Sequence, residues 1–401
     1  MKILFDHQIF SAQRQGGVSK YFTELGAEFR TQRSVDVQFA LNHTTNTHLL
    51  SSLFAKEVTE TPESRYLQEF DLFYRRYPYF GAGQIFQLSK WVSGKSYVDL
   101  SMMDESRLNR RVSLDLIQAK NFDLFHPTYY DPYFLDYLEE AKYVVTVHDM
   151  IPELFPSYFP DQEITIARKK EVILNAERII AVSKKTRDDL VEIYRLDPAR
   201  VDVVYHGVRR VDPEPIRLPG RFLLFVGRRS GYKNFRLAAT VFSRVLANDA
   251  DCWLVCCGGG AFTEEERTAL LELKVESRLL FLEPTDSQLQ YIYSQARLLI
   301  FPSLAEGFGL PIIEAMSAGC LVCASDIACF REIAADAAIY FDPLNVESAV
   351  EAVDRALSDS IARTSFRKLC LQLAQSYTWQ LTAERTLIVY KAATGQEMRE
   401  G

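Results

Sequence analysis

Two glutamates eight positions apart frame the part of this sequence with the most chemical content. The segment reads Pro302-Ser303-Leu304-Ala305-Glu306-Gly307-Phe308-Gly309-Leu310-Pro311-Ile312-Ile313-Glu314-Ala315. The apolar run Leu298–Phe301 before it has the length of a buried strand. Gly307 and Gly309 make a turn. Pro311 stands where proline opens a helix, because the N–H it lacks is one that a helix leaves unpaired anyway. Backbone N–H groups of such a turn and of the helix start attract anions, phosphate oxygens above all. Glu306, in the turn, is placed to accept hydrogen bonds from sugar hydroxyls. Glu314, about one turn into the helix, can accept two from a ribose diol. Without its surroundings, a Gly-x-Gly or a pair of glutamates is a weak signal.

A second segment offers the opposite charge. Val226-Gly227-Arg228-Arg229-Ser230-Gly231-Tyr232-Lys233-Asn234 follows the apolar run Phe222–Val226 and precedes a helical pattern. Arg228 and Lys233 bracket this loop. A diphosphate leaving group carries about two to three negative charges and gains more as its bond breaks, so cations aimed at it lower the barrier. Standing alone, two such cations fit a solvated surface as well. Gly16-Gly17, after the first apolar run, admits a close approach of backbone to ligand, or simply a tight strand-to-helix turn. His148 ends the buried run Tyr143–Val147 and is placed to hydrogen-bond a transferred sugar near its anomeric centre. A lone histidine is more often structural, and His126 is a weaker candidate of the same kind. Cys320 and Cys323 form a Cys-x-x-Cys, but three residues apart on a strand they face opposite ways. No second pair completes a zinc set, so we read them as core and expect no metal site.

The elements that must carry these residues are βαβ units. Short apolar runs alternate with amphipathic stretches throughout, as in parallel sheets covered by helices. Strands are expected at Lys2–Phe5, Val35–Leu41, Asp123–His126, Tyr143–Val147, Arg178–Val182 and Val201–Tyr205. A second series runs Phe222–Gly227, Trp253–Cys257, Leu279–Leu282, Leu298–Phe301, Leu321–Ala324 and Ala338–Phe341. Between the series, residues 205–220 hold Pro213, Pro215, Pro219, Gly207 and Gly220, which reads as a linker. The expectation is an α/β chain of two doubly wound, Rossmann-like domains, with a cleft between them as the natural site. The first would span 1–207 and bind the acceptor; the second would span 208–377 and bind the donor. The break at Tyr377-Thr378-Trp379 sets off a last helix, within 378–401, that crosses back to the first domain.

The stretch 53–120 fits the alternation poorly. It is aromatic, and between 65 and 111 it holds eight Lys/Arg against five Asp/Glu. A basic aromatic face suits anionic lipid headgroups or a lipid carrier. The plainer reading, an extra helical pair with solvated charges, is preferred.

Composition narrows the field. With 401 residues, 48% hydrophobic and 25% charged, the chain is globular and exceeds one ordinary domain. A net charge of -7 opposes nucleic-acid binding. No apolar run reaches the roughly 18–20 residues of a membrane span. The first residues, ending in Asp6 and His7, do not resemble a signal peptide. The seven cysteines suit a reducing compartment. A cytoplasmic location is expected, with peripheral contact at the inner membrane face as an option.

Together these pieces resemble the family 4 group of retaining glycosyltransferases, which have the GT-B architecture. The resemblance covers nearly the whole chain, strongest over 220–342 and weakest over 53–120. Its most specific element is E-x7-E, here Glu306 to Glu314. Gly227, Arg228, Lys233 and Asn234 match a Gly-Arg-x4-Lys-Asn element. Lesser matches are Gly16-Gly17-Val18, Ala181-Val182-Ser183, Val204-Tyr205-His206-Gly207-Val208 and Tyr377-Thr378-Trp379. The resemblance implies that Arg228 and Lys233 bind the diphosphate, that Glu306 binds donor-sugar hydroxyls and that Glu314 binds the ribose. It implies that the backbone of Gly307, Phe308, Gly309 and Leu310 holds sugar and phosphate. Gly17, beside Gly16, would border the β-phosphate, and His148 would sit by the transferred sugar. His148, Arg228, Lys233 and Glu306 are then the expected catalytic set.

The implied reaction moves a hexose from a nucleotide diphosphate sugar to a glycan or lipid-linked acceptor in polysaccharide biosynthesis. Family frequency puts UDP-glucose first and GDP-mannose next. The nucleotide sugar is a co-substrate, and neither cofactor nor metal is expected. Glu283-Pro284 stands where the family commonly has glycine near the base, which leaves base choice open. A sugar-nucleotide epimerase or phosphorylase shares the architecture, but no lysine in a pyridoxal-phosphate setting is evident. A dehydrogenase would need Gly-x-Gly-x-x-Gly after a strand, and Gly258-Gly259-Gly260 does not meet that spacing. A non-catalytic partner of an active transferase would be expected to have lost Glu306, Arg228 or Lys233, and all three are present.

Overall fold

The computed structural model describes residues 1–57, 105–229, 231–358 and 360–396. Most of the aromatic, basic stretch falls outside the described residues, and with it the reading of a lipid-facing surface. No helix among the described residues is long and apolar enough to cross a membrane.

The strands are β1 (Lys2–Phe5), β2 (Asp36–Phe39), β3 (Leu124–His126), β4 (Val144–Val147), β5 (Arg178–Ala181), β6 (Val201–Val203), β7 (Phe222–Val226), β8 (Trp253–Cys257), β9 (Leu279–Leu282), β10 (Leu298–Phe301), β11 (Val322–Ser325) and β12 (Ile339–Phe341). Each expected run holds a strand, trimmed by a residue or more at some ends. Among the described residues, the helices of seven or more residues are α1 (Gly17–Thr31), α2 (Glu105–Ala119), α3 (Glu163–Asn175), α4 (Lys184–Tyr194), α5 (Phe235–Asn248), α6 (Glu264–Glu272), α7 (Asp286–Gln295), α8 (Leu310–Ser317), α9 (Ala328–Ala334), α10 (Val346–Ser358), α11 (Ser360–Leu373) and α12 (Trp379–Thr394).

The chain divides into two compact units. The first comprises Met1–Thr146, Glu163–Ile180 and Arg385–Gly401; the second comprises Val147–Gln162 and Ala181–Glu384. In the first unit, β1 lies between β2 and β3, parallel to both. Phe125 bridges in parallel to Tyr143, just ahead of β4. The core here is aromatic: Phe5 meets Phe22 with ring centroids 5.4 Å apart, and Phe39 meets Phe54 at 4.7 Å. α2 belongs to this core, since Asn109 and Ser113 are fully buried and Arg110 lies over the Tyr133 ring. Tyr390, late in α12, is buried against Phe29 and His126, so the last helix ends in the first unit. β4, β5 and β6 form a further three-stranded sheet, in that order.

The second unit is built on a six-stranded parallel sheet of order β12-β11-β10-β7-β8-β9. Strands such as Leu298–Phe301 are apolar at every position because helices cover both faces. One face buries Leu223, Phe225 and Ile300 under α5 and α10; the other buries Leu224, Leu299 and Phe301 under α7, α8 and α9. Cys323 joins the first cluster and Cys320 the second. The two thiols therefore sit on opposite faces of the sheet. Capping boxes, Thr263 with Glu266 and Thr285 with Gln288, start α6 and α7 by satisfying N–H groups that a helix leaves open. The chain runs from β7 outward through β8 and β9, then returns to β10 on the other side. The order reverses between β7 and β10, and the crevice at their carboxyl ends is where such sheets take ligands.

Candidate active site

Both chemically rich segments leave the sheet at that crevice. After β7 the chain turns through Gly227, whose φ of 129° suits only glycine. It then reaches a single 3-10 turn at Gly231–Lys233. After β10 it runs through Pro302 and Ser303 to Glu306. The Leu304 N–H donates to the Tyr232 carbonyl at 2.7 Å, which stitches the two loops together. Lys233 Nζ lies 2.5 Å from Glu306 Oε1, and the two side chains are 17% and 11% exposed. Ser303, fully buried, donates from Oγ to the same oxygen at 2.8 Å. The Tyr232 hydroxyl is pushed well above its ordinary range by burial, and then by the negative charges of Glu306 and Asp149. Lys233 and Glu306, both singled out by sequence, thus form one ion pair.

The turn from Gly307 to Leu310 is shaped to present its amides. Gly307 must be glycine, because a Cβ there would lie 1.7 Å from the His148 carbonyl oxygen. Gly309 has φ 103° and caps α8, with Pro311 in the first turn as expected. The Gly307 carbonyl accepts from Thr186 Oγ1 at 3.2 Å, and the Phe308 carbonyl from Cys329 Sγ at 3.2 Å. Among the described residues, no acceptor takes the N–H of Gly307, Phe308, Gly309 or Leu310. The carbonyls are spent on the protein and the donors are not, which is the polarity an anion requires. The Phe308 ring itself is buried against Tyr205, His206 and Tyr377, so only its backbone can serve a ligand.

Glu314 sits in α8 as the helical spacing requires. Its Oε2 accepts from the Tyr293 hydroxyl of α7 at 3.2 Å. Tyr293 is buried, and burial together with Glu314 raises its hydroxyl pKa well above the usual value. His148 is half-buried beside the turn, its ring stacked on His206 with centroids 5.6 Å apart and planes 4° from parallel. Burial, then His148, holds the His206 imidazole well below its ordinary pKa, so it stays neutral near pH 7. Arg228 is exposed and makes no ion pair with any described residue. Arg229 beside it does the opposite. It is buried, pairs with Glu266 at 3.1 Å and donates to the carbonyls of Gly258, Gly260 and Ala261. It fastens the triple-glycine loop after β8, and Gly259 lies so close to Gly227 that a Cβ would meet its carbonyl at 2.9 Å.

Lys233, Glu306, Gly307, Phe308, Gly309, Leu310 and His148 therefore converge, with Glu314 on the helix that follows and Arg228 on the loop beside. Gly16 and Gly17 lie in the first unit, at the start of α1; Gly16 leaves room for the Gln13 side chain, whose Oε1 would lie 2.3 Å from a Cβ there. Sequence reasoning missed Ser303, Tyr293, Tyr232 and His206. Ser303 lies within the Pro302–Ala315 segment, but a serine three residues before a glutamate carries no signal of its own. Tyr293 is 21 positions from Glu314 and carries none either. Among the described residues no three His, Cys, Asp or Glu side chains gather into a set able to hold a metal ion.

Residues 15–210 match the model of Glycosyltransferase Family 4, and residues 211–369 that of Glycosyl transferases group 1. The O-antigen chain mannosyltransferase RfbU of Salmonella typhimurium is 27% identical over 223 residues, which are 55% of this chain and 62% of that protein. The chain thus spans under two thirds of that relative. The O-antigen chain mannosyltransferase B of Escherichia coli is 25% identical over 300 residues, 70% of this chain and 77% of that one. The sucrose-phosphate synthase structure from Thermosynechococcus elongatus superposes with a TM-score of 0.70 and 16% identity, covering 99% of both chains. That likeness is one of fold, and it is the GT-B fold. With both family models spanning the sheets and loops just described, the chain belongs to the family 4, group 1 glycosyltransferases.

Proposed function

We propose that the protein is a retaining hexosyltransferase that moves a hexose from a nucleotide diphosphate sugar to a glycan or lipid-linked acceptor in polysaccharide biosynthesis. The observation that carries this is the meeting of Lys233 and Glu306 at the β7–β10 crevice, beside a turn whose amides meet no acceptor among the described residues. Lys233 and Arg228 hold the diphosphate, the amides of Gly307 to Leu310 support it, Glu306 takes sugar hydroxyls and Glu314 the ribose. His148 lies beside the sugar. In this reading the leaving phosphate takes the acceptor proton on the face it departs from, so no protein nucleophile is needed. Cations stabilise the departing charge, and no metal is required. The reaction takes place at the cytoplasmic side, where nucleotide sugars are made.

The donor is a mannosyl nucleotide, GDP-mannose, in preference to the UDP-glucose that family frequency favours. Two relatives named as O-antigen mannosyltransferases support that order. Calorimetric titration with UDP, GDP, ADP and dTDP, each with chelator, tests the reading. Preference for GDP supports the mannosyl donor and preference for UDP restores UDP-glucose. Binding only with magnesium or manganese overturns the metal-free mechanism. No binding in either condition moves the weight to a non-catalytic partner of an active transferase.

A further inference from the structure

The Lys233–Glu306 pair has an energetic consequence for what the site can hold. Both Lys233 Nζ and Ser303 Oγ lie on one oxygen of the carboxylate, Oε1, at 2.5 and 2.8 Å. Oε2 has no hydrogen-bond partner among the described residues. Ser303 is fully buried, two residues past the end of β10, and its hydrogen bond orients the carboxylate. Any diphosphate that uses Lys233 must draw it away from Glu306 or share it, and must bring its own negative charge close to that carboxylate. Like charges a few ångströms apart in a half-buried site repel appreciably.

A sugar nucleotide and a bare nucleoside diphosphate meet this carboxylate differently. The sugar nucleotide brings hydroxyls, which can donate to Oε2 and offset the repulsion. The bare nucleoside diphosphate brings none. We propose that Glu306 is a specificity-determining residue that favours donor over product: paired with Lys233, it weakens the hold on the nucleoside diphosphate, and sugar hydroxyls restore it. This rests on the reading of Lys233 as the diphosphate-binding cation. Product thereby leaves more readily than donor, without any movement of the backbone.

The test is calorimetric titration of wild type, Glu306→Gln, Lys233→Met and the double variant with UDP and with GDP at fixed ionic strength. Glutamine keeps the shape of glutamate and an oxygen for Ser303, so the fold is preserved; Glu306→Ala, checked by its unfolding midpoint, serves as a second variant. Glu306→Gln is expected to bind the preferred nucleoside diphosphate roughly tenfold more tightly than wild type, while its turnover collapses. The gain is expected to shrink to less than about threefold in the Lys233→Met background, because the pair is already broken. Equal or weaker binding by folded Glu306→Gln and Glu306→Ala overturns the inference. An equal gain in both backgrounds also overturns it, since repulsion alone would then suffice. If wild type binds no nucleoside diphosphate, with or without magnesium, it is the transferase reading that fails.

Discussion

Each unit has a sheet whose strand order reverses beside its first strand, and the two crevices are furnished in opposite ways. In the first unit the crevice lies between β1 and β3. Asp6, just past β1, is fully buried and accepts from Thr128 N–H at 2.8 Å, Thr128 Oγ1 at 2.6 Å, Gln8 Nε2 at 2.8 Å and Tyr133 OH at 3.2 Å. His7 meets Ser113 at 2.9 Å, and burial holds its pKa below the ordinary value. In the second unit, between β7 and β10, Glu306 gives only one oxygen to the described residues and Arg228 stays exposed. The same topology supplies the same location twice. What separates a sealed crevice from a reactive one is whether its polar groups are spent on each other. A carboxylate satisfied by five hydrogen bonds, the fifth from the Gln8 N–H at 3.3 Å, contributes to stability; one with an oxygen in reserve can contribute to chemistry.

This contrast is open to attack by substitution. The largest effect is expected from Asp6→Ala, which strands several buried donors and should cost about 3 kcal/mol of stability in urea unfolding. Glu306→Ala, which strands only the Ser303 hydroxyl and the Lys233 ammonium, should cost less, about 1–2 kcal/mol in the same measurement; equal losses at the two positions would erase the distinction. Lys233→Ala should lower turnover roughly 10²-fold with little change in stability, and wild-type turnover would remove the lysine from the site. Glu314→Ala should weaken nucleotide binding by about 1–3 kcal/mol, read by calorimetry. Tyr293→Phe, which removes one hydrogen bond from the Glu314 carboxylate, should raise the nucleotide Kd by roughly fivefold and leave kcat unchanged. A fall in kcat with an unchanged Kd would make Tyr293 structural only. The smallest effect concerns the thiols. All seven cysteines are buried, and burial pushes Cys257 and Cys323 up to about 12. Native protein should therefore react with a thiol reagent near neutral pH only as it unfolds; rapid modification of the native state would show that the core opens locally.

Much of this was legible in the chain itself. Buried parallel strands such as Phe222–Val226 and Leu298–Phe301 read as unbroken apolar runs, so their number and order along the chain followed from composition. Glu306, Gly309, Pro311 and Glu314 were legible because turn, helix start and carboxylates fall within a few residues of one another. Contacts between distant segments left no such trace. Gly207 is needed because Thr378 and Trp379 lie against it, where a Cβ would meet the Trp379 nitrogen at 2.3 Å. The two short motifs, His206-Gly207-Val208 and Tyr377-Thr378-Trp379, were visible separately and their union was not. Arg228 and Arg229 are adjacent and chemically identical, and only packing tells the exposed one from the one that fastens the glycine loop. Ser303 and Tyr293 escaped notice because a hydroxyl that orients a carboxylate has no preferred spacing from it.

The burial of Tyr390 sets an order of events during synthesis. Its hydroxyl meets His126 Nδ1 at 2.5 Å and its ring packs on Phe29, so a residue near the end of the chain completes a core begun by the first 40. Domains commonly fold in sequence as they emerge from the ribosome. Here the first unit cannot close until residue 390 has been added, and the second unit, which ends at Glu384, has every one of its residues available before then. A ribosome stalled short of residue 390 would hold a nascent chain whose opening segment still exposes aromatic surface, a natural substrate for chaperones.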